Sequence, residues 1–103
     1  MPQIIVLFNL KSDADRQAYE HWARTTDLPT VRGLSAVDGF DALRAESMLG
    51  GDAKPPYEYV EVIRINDMAR FRDEVGSETM RQVAAEFRGF ADSPQFIVCE
   101  SLG

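Results

Sequence analysis

Apolar and β-branched residues give four stretches of the chain the pattern of strands. The run from Gln3 to Asn9 is almost continuously apolar, which is typical of a strand buried on both faces. Tyr57 to Ile65 alternates and is rich in aromatic and β-branched side chains. We predict two more strands, from Val37 to Ala45, where Gly39 indicates a bulge or tight bend, and from Gln95 to Glu100.

Between the first two strands the apolar residues recur at helical spacing. This pattern predicts an amphipathic helix from Asp13 to about Thr26, capped by Ser12 or Asp13. Pro29 disfavours helical geometry at the preceding residue and is expected to close the helix. A short irregular or helical stretch, Pro29 to Gly33, then leads into the next strand.

A second helical region precedes the last strand. Asn66 or Asp67 caps a short helix through Val75, and Gly76-Ser77 starts a longer helix that Pro94 delimits. The inward side of the longer helix is predicted to carry Met80, Val83, Ala84 and Phe87. Paired glycines and prolines make residues 47–56 a loop. The order βαββαβ is that of a ferredoxin-like α+β fold, an antiparallel sheet with helices on one face.

Both faces of this sheet are apolar. In the first strand Ile4 and Phe8 point to one face, while Ile5 and Leu7 point to the other. Helices can cover only one face, and the sheet of an identical chain can cover the second. We therefore predict a homodimer, sheet against sheet. The alternative is a monomer in which the C-terminal tail or the loop at residues 47–56 covers that face.

The composition is that of one globular domain spanning residues 1–103. Hydrophobic residues make up 45% and charged residues 27%, which excludes a disordered or membrane-spanning chain. The N-terminus lacks a signal-peptide pattern, so we expect a cytoplasmic protein. Cys99 is the only cysteine and cannot form an intrachain disulfide. The net charge of −6 makes nucleic acid an unsuitable partner.

The sequence lacks the common motifs of nucleotide and metal chemistry. It contains no Gly-rich phosphate loop, HExxH, paired CxxC or Gly-x-Ser-x-Gly elbow. The one histidine and the one cysteine have no partner at ligand spacing, so we expect neither metal nor nucleotide chemistry. The remaining kind of chemistry is acid–base catalysis by carboxylates, a histidine and tyrosines in apolar surroundings.

Glu61 is the best candidate for a proton carrier. It shares one face of its strand with Tyr59 and Ile63, and burial in such a layer raises the pKa of a carboxyl group. The alternative is a structural ion pair with Arg64 or another arginine. Histidine is the residue type that ordinarily changes charge near neutral pH, but the place of His21 at the margin of the helix's apolar side favours a half-exposed surface position.

Aromatic residues of the first helix belong to the core or form the wall of a pocket for a flat substrate. The segment from Thr25 to Thr30 gathers threonine hydroxyls and the Asp27 carboxylate where a cleft could open, with a plain polar helix end as the alternative. The residues predicted to contact substrate are Trp22, Thr26, Tyr59, Tyr19 and Phe8.

Three stretches resemble the RedY/HapK-like proteins of bacterial prodiginine and bisindole alkaloid pathways, namely Tyr19 to Val31, Asn66 to Met68 and Val75 to Asp92. The resemblance covers nearly the whole chain. More distantly, the chain is similar to the EthD-like branch of dimeric α+β barrels, and there Asp27 stands in place of the EthD-like histidine.

The resemblance implies a cofactor-free dimeric α+β barrel that acts on a reactive pyrrole or indole intermediate. The reaction would be a cyclisation, a hydration or a proton transfer. Asp27, with His21 or Glu61 as second proton carrier, would act on an aromatic imine or carbonyl compound held against Trp22 and Tyr59. Two alternatives stay open because this fold hosts many functions. One is a non-catalytic carrier of such a molecule, and the other is a cofactor-independent monooxygenase.

Overall fold

The computed structural model describes residues 2–103, in which strands and short helices alternate. In chain order the elements are β1 (Pro2–Leu10), α1 (Arg16–Trp22), a π-helical turn (Ala23–Asp27), α2 (Leu28–Arg32), β2 (Val37–Arg44), β3 (Tyr59–Ile65), α3 (Met68–Glu74), α4 (Glu78–Phe90) and β4 (Ala91–Glu100).

The four strands form one antiparallel sheet in the order β2-β3-β1-β4. In the two central strands Ile5 lies opposite Val62 and Phe8 lies opposite Tyr59. The register between β2 and β3 shifts between Val37 and Gly39, which confirms the irregularity expected at this glycine. Strand order and connections confirm the predicted ferredoxin-like α+β fold.

The core lies between one face of the sheet and the helices. Val6 and Phe8 of β1 are completely buried, and alternate residues of β3 join them. Of the stripe predicted on α4, Met80, Val83 and Phe87 are buried, while Ala84 is partly exposed. The strand and helix periodicities in the sequence therefore meet in a single apolar layer.

Side-chain caps fix where most helices begin. The carboxylate of Asp67 accepts from the backbone N–H of Arg70, and the hydroxyl of Ser77 accepts from that of Met80, as predicted. The first helix begins later than expected, with Asp15 as its N-cap. Residues 11–14 form a turn instead, closed by a bond from the Ala14 N–H to the Lys11 carbonyl at 2.9 Å.

Pro29 does not end the first helical region, which corrects the prediction. The chain continues through the π turn into α2, where Pro29 lies in the first turn. The π turn accommodates the proline, because the N–H of Leu28 already bonds five residues back to Ala23 and the backbone changes its hydrogen-bond register just where the missing N–H of Pro29 would interrupt an α-helix.

β4 begins at Ala91, four residues before the predicted start, and includes Pro94. Two features accommodate this proline. β4 is an edge strand, where a missing N–H is tolerated, and the backbone bulges beside it, with Ser93 at a φ of 48°. β3, in contrast, starts at Tyr59 rather than Tyr57.

The helices leave the second face of the sheet uncovered. Its apolar side chains are partly exposed on the central strands and more exposed towards the edges, where Leu43 is 52% and Ile97 43% exposed. Phe96 and Val98 are also exposed, although the register places them on the helix side opposite Val6 and Ile4. The helices therefore stop short of the β4 edge.

Candidate functional site

An apolar cavity of about 290 Å³ lies between the sheet and the helices. Its walls come from β1, β2, β3 and β4 and from α2, α3 and α4, and they carry four phenylalanine rings: Phe40, Phe71, Phe87 and Phe96. Asp27 and Glu61 supply the polar groups of the lining. A pocket with apolar walls and few convergent polar groups is the usual form of a small-molecule site.

Glu61 enters the cavity because of strand alternation. It lies between Tyr59 and Ile63 on the buried face of β3 and is 4% exposed, as predicted. The ion-pair alternative does not apply to this residue. Arg64 pairs with Asp41 at 3.1 Å on the opposite face of the sheet.

The π turn directs Asp27 inward. The backbone N–H of Leu28 donates to the carbonyl of Ala23, five residues earlier. In a continuous α-helix, at about 100° per residue, Thr26 would share the side of Tyr19. The extra residue brings Asp27 to that side instead, so Asp27 is 5% exposed while Thr26 is only partly buried. π-helical segments occur frequently at functional sites for this kind of reason.

Tyr19 connects α1 to the buried carboxyl of β3. Its hydroxyl donates to Oε2 of Glu61 at 3.3 Å, and its ring packs edge-on against Phe8 and Tyr59. Among residues 2–103, no side chain forms a hydrogen bond with the Asp27 carboxyl. The two carboxyl groups of the cavity thus have a single donor between them.

Burial changes the acidity of all three groups. It raises the pKa of Asp27 to about 7. For Glu61, burial and then the nearby Asp27 charge raise the pKa to about 8, partly offset by the hydrogen bond from Tyr19. Burial and the Glu61 charge hold the pKa of Tyr19 above its usual range. Near neutral pH the cavity can therefore both accept and donate a proton.

A second depression, of about 330 Å³, lies on the other side of Tyr19 and Tyr59. There Glu20 accepts from the Tyr59 hydroxyl at 2.7 Å and from Arg44 through both carboxylate oxygens at 2.9 Å. The pKa of Glu20 is lowered, mainly by the hydrogen bond from Tyr59 and further by Arg44. Because the Glu20 carboxylate of this depression is already paired with Arg44 and Tyr59, we assign the candidate site to the apolar cavity.

The other predicted residues lie outside the apolar cavity. His21 is exposed, and Trp22 packs against Phe90 while its ring N–H donates to Glu86 at 2.8 Å. Phe8 is a core residue stacked on Tyr59. Of the predicted set, the structure brings Asp27 and Glu61 together at the cavity, with Tyr19 behind Glu61.

Sequence reasoning missed two parts of the cavity wall. Phe71 of α3 and Val75, which directly follows this helix, line it, and so do Phe96 and Val98 of β4 at its open edge. The alternation in β4 and the four-residue spacing of Phe71 and Val75 indicated inward-facing side chains. Nothing in the sequence pattern showed between which elements a cavity remains. Glu20 was also missed. Arg24, four residues later, was a local signal for one of its partners, but nothing local indicates Arg44 or Tyr59.

The described part of the chain holds neither a cluster of metal-ligating side chains nor a helix of membrane-spanning length and apolarity. Residues 2–103 contain no cluster of three or more His, Cys, Asp and Glu side chains arranged to hold a metal ion. None of the helices in this range combines the length and apolarity needed to cross a bilayer.

Comparison with known proteins reveals similarity along the whole chain. Residues 2–102 match the family model described as REDY-like protein HapK. The crystal structure of HapK from Hahella chejuensis is 33% identical, with a TM-score of 0.82 over 100% of this chain and 94% of that chain. No curated protein matches the sequence.

More distant structures share the fold. An EthD family protein from Bacillus halodurans is 16% identical, with a TM-score of 0.76 over 99% of both chains. SnoaB, a cofactor-independent oxygenase from Streptomyces nogalater, is 14% identical, with a TM-score of 0.75 over 99% of this chain and 93% of that chain. At these identities the likeness concerns the fold alone.

Proposed function

Because the chain belongs to the family of REDY-like HapK proteins, we propose that it is a small cofactor-independent enzyme of bacterial pyrrole or indole alkaloid biosynthesis, of prodiginine or bisindole type. The proposed reaction is an acid–base step, a cyclisation, hydration or proton transfer on a reactive aromatic imine or carbonyl intermediate. One observation carries this proposal: Asp27 and Glu61 are buried together in one apolar cavity without a basic partner.

The pair can divide the roles of base and acid. With a pKa of about 7, Asp27 is partly ionised at neutral pH and can remove a proton from the substrate. Glu61, with a pKa of about 8, stays mainly protonated and can donate one. Once one of the two carboxyl groups has lost its proton, its negative charge makes it harder for the other to lose one. Asp27 and Glu61 therefore titrate as a coupled pair.

The surroundings of the pair suit a labile intermediate. The phenylalanine rings can contact a flat molecule on several sides, and the apolar walls keep water scarce near the reacting atoms. Positioning and water exclusion both favour one reaction over competing hydrolysis.

The same proposal includes a homodimer formed through the uncovered face of the sheet. This face carries a continuous set of apolar side chains, namely Ile5, Leu7, Leu43, Val60, Val62 and Ile97. The Arg64–Asp41 pair lies on the same face and offers both charge signs to a partner with the same arrangement. An identical sheet therefore complements this face in both polarity and charge.

The test measures conversion of bipyrrole- and bisindole-type aldehydes and imines by purified protein without added cofactor. We expect turnover by the wild type and a loss of roughly 10²–10⁴-fold in Asp27→Asn, the usual contribution of a general base. Asp73→Asn is the matched control, because Asp73 is exposed on α3. Undiminished turnover in Asp27→Asn would remove the proposed role of this residue.

Two other results would favour the alternatives. Binding of these compounds without conversion supports a carrier. Oxygen consumption during conversion, recorded with an electrode, supports a monooxygenase.

A further inference from the structure

We propose that the cavity selects a flat aromatic ligand that carries one positive charge on a protonated nitrogen, held by Asp27 and Glu61. The inference rests on the proposed function, since it names the class of substrate for that same site. It concerns binding, however, and can be measured without any reaction.

The charges around the cavity are all of one sign. Asp27 comes from the π turn and Glu61 from β3, and Tyr19 of α1 is the other titratable group that contacts them. The residues that α3, α4, β1 and β4 contribute to the wall are all apolar. A ligand therefore finds carboxylates, and no basic side chain, inside this part of the chain.

The carboxyl oxygens also lack donors. Asp27 is 5% exposed and accepts no side-chain or backbone hydrogen bond from the described residues, and Glu61 accepts one, from Tyr19. The Asp27 oxygens are not completely closed off from the cavity space, but an ionised carboxylate with so little access to water and no protein donor is costly. A ligand N–H⁺ supplies both the missing donor and the missing charge, whereas a neutral or anionic ligand supplies no charge or the wrong one.

The walls determine the rest of the ligand. A volume of about 290 Å³ bounded by phenylalanine rings fits a compact aromatic body. Its nitrogen must lie at one end to reach the carboxyl pair, because the other walls are apolar. The cavity opens beside the exposed side chains of Phe96 and Val98, so an aromatic ring meets an apolar mouth.

Binding of such a cation is linked to proton release. At a pH where both carboxyl groups are protonated, the cation must displace a proton, which then passes to the buffer. Its affinity should consequently rise with pH until one carboxyl group is ionised, by up to about tenfold per pH unit. A neutral ligand has no such requirement and should bind no more tightly at high pH.

Tryptamine and tryptophol are suitable probes, because they share an indole ring and differ in an ammonium group against a hydroxyl. Isothermal titration calorimetry with the wild type should show tryptamine affinity rising at least about tenfold between pH about 5.5 and about 8. Tryptophol affinity should not rise. Repeating the titration in buffers of different ionisation enthalpy measures the proton released. Equal affinities for the two probes at both pH values would overturn the inference.

Variants locate the effect. The double variant Asp27→Asn, Glu61→Gln should lose the preference for tryptamine and its pH dependence while still binding tryptophol, and Asp73→Asn should behave as the wild type. A preference that persists in a folded double variant would also overturn the inference. Turnover without charge selection would refute only this inference. Charge selection without turnover would leave it standing and refute the proposed enzyme activity.

Discussion

Two buried carboxyl groups make the stability of this protein depend on pH. The pKa of Asp27 is raised to about 7 in the folded chain, whereas an unfolded Asp titrates near pH ~3.9. The folded state therefore holds a proton that the unfolded state has already lost, and stability falls as the pH rises between these values. A group retained at this cost points to a role other than folding.

The variant Asp27→Asn removes that penalty. We expect its free energy of unfolding to exceed that of the wild type by about 2–4 kcal/mol at pH ~8.5, and the difference to shrink towards pH ~4, where Asp27 is neutral in the folded state and about half protonated in the unfolded state. Urea unfolding followed by circular dichroism at the two pH values measures this. Asp73→Asn should show no pH-dependent difference. A constant difference at every pH would contradict the assigned pKa.

The two carboxyl residues differ in how far the sequence identifies them. Alternation along β3 is enough to bury Glu61, because a strand has a fixed period of two. For Asp27 the helical period favours Thr26 on the inward side. The sequence placed Asp27 in a polar segment at a possible cleft, and the family resemblance gave it the leading role. The π turn that reverses this order depends on how the helical segment packs on the sheet, which no local pattern records.

At the scale of elements, the end of α3 is attached to the start of β2 by one carboxylate. Glu74 accepts from the backbone and hydroxyl of Ser35 at 3.0 and 2.9 Å and from the N–H of Ala36 at 2.9 Å. The pKa of Glu74 is lowered, mainly by the hydrogen bond from the backbone N–H of Ala36. A carboxyl group with a lowered pKa stabilises the fold above its unfolded pKa, and this contribution is lost as the pH falls.

Glu74→Ala should consequently lower the melting temperature at neutral pH, by about 5 °C for a domain of this size. The difference in melting temperature should diminish in acid, because the Glu74 carboxylate of the wild type is then protonated and no longer makes its charged hydrogen bonds. Differential scanning calorimetry at both pH values measures the effect. Asp73→Ala, at the neighbouring exposed position, is the control, and an equal loss there would show that the effect belongs to the helix end in general.

Elements governed by local chemistry were predictable, and those governed by packing were not. The caps at Asp67 and Ser77 follow from side chains that accept hydrogen bonds from nearby backbone N–H groups. Pro29 and Pro94 misled the prediction, because each is tolerated for a reason outside its own segment. Pro29 follows the π turn, and Pro94 lies in an edge strand beside a bulge.

At the scale of the whole molecule, the proposed dimer depends on the two faces of the sheet. The apolar alternation of β1 predicted both faces, and the structure shows helices on one of them only. Neither monomeric alternative matches the exposed side chains, since Leu43 and Ile97 are left open by both the loop and the C-terminal tail. An exposed apolar surface of this kind usually marks an interface.

Val62 lies near the middle of this face, opposite Ile5 on one side and Asp41 on the other. Sedimentation velocity should give the wild type the mass of two chains. Val62→Lys would introduce two charges, one from each chain, into the desolvated centre of the dimer interface. It should weaken association at least about a hundredfold.

The fold of each chain should survive, since the lysine points away from the helices and towards Asp41. Leu49→Lys, in the exposed loop, should remain dimeric. A wild type that sediments as one chain at working concentration would leave the sheet face open to solvent and contradict the proposed dimer.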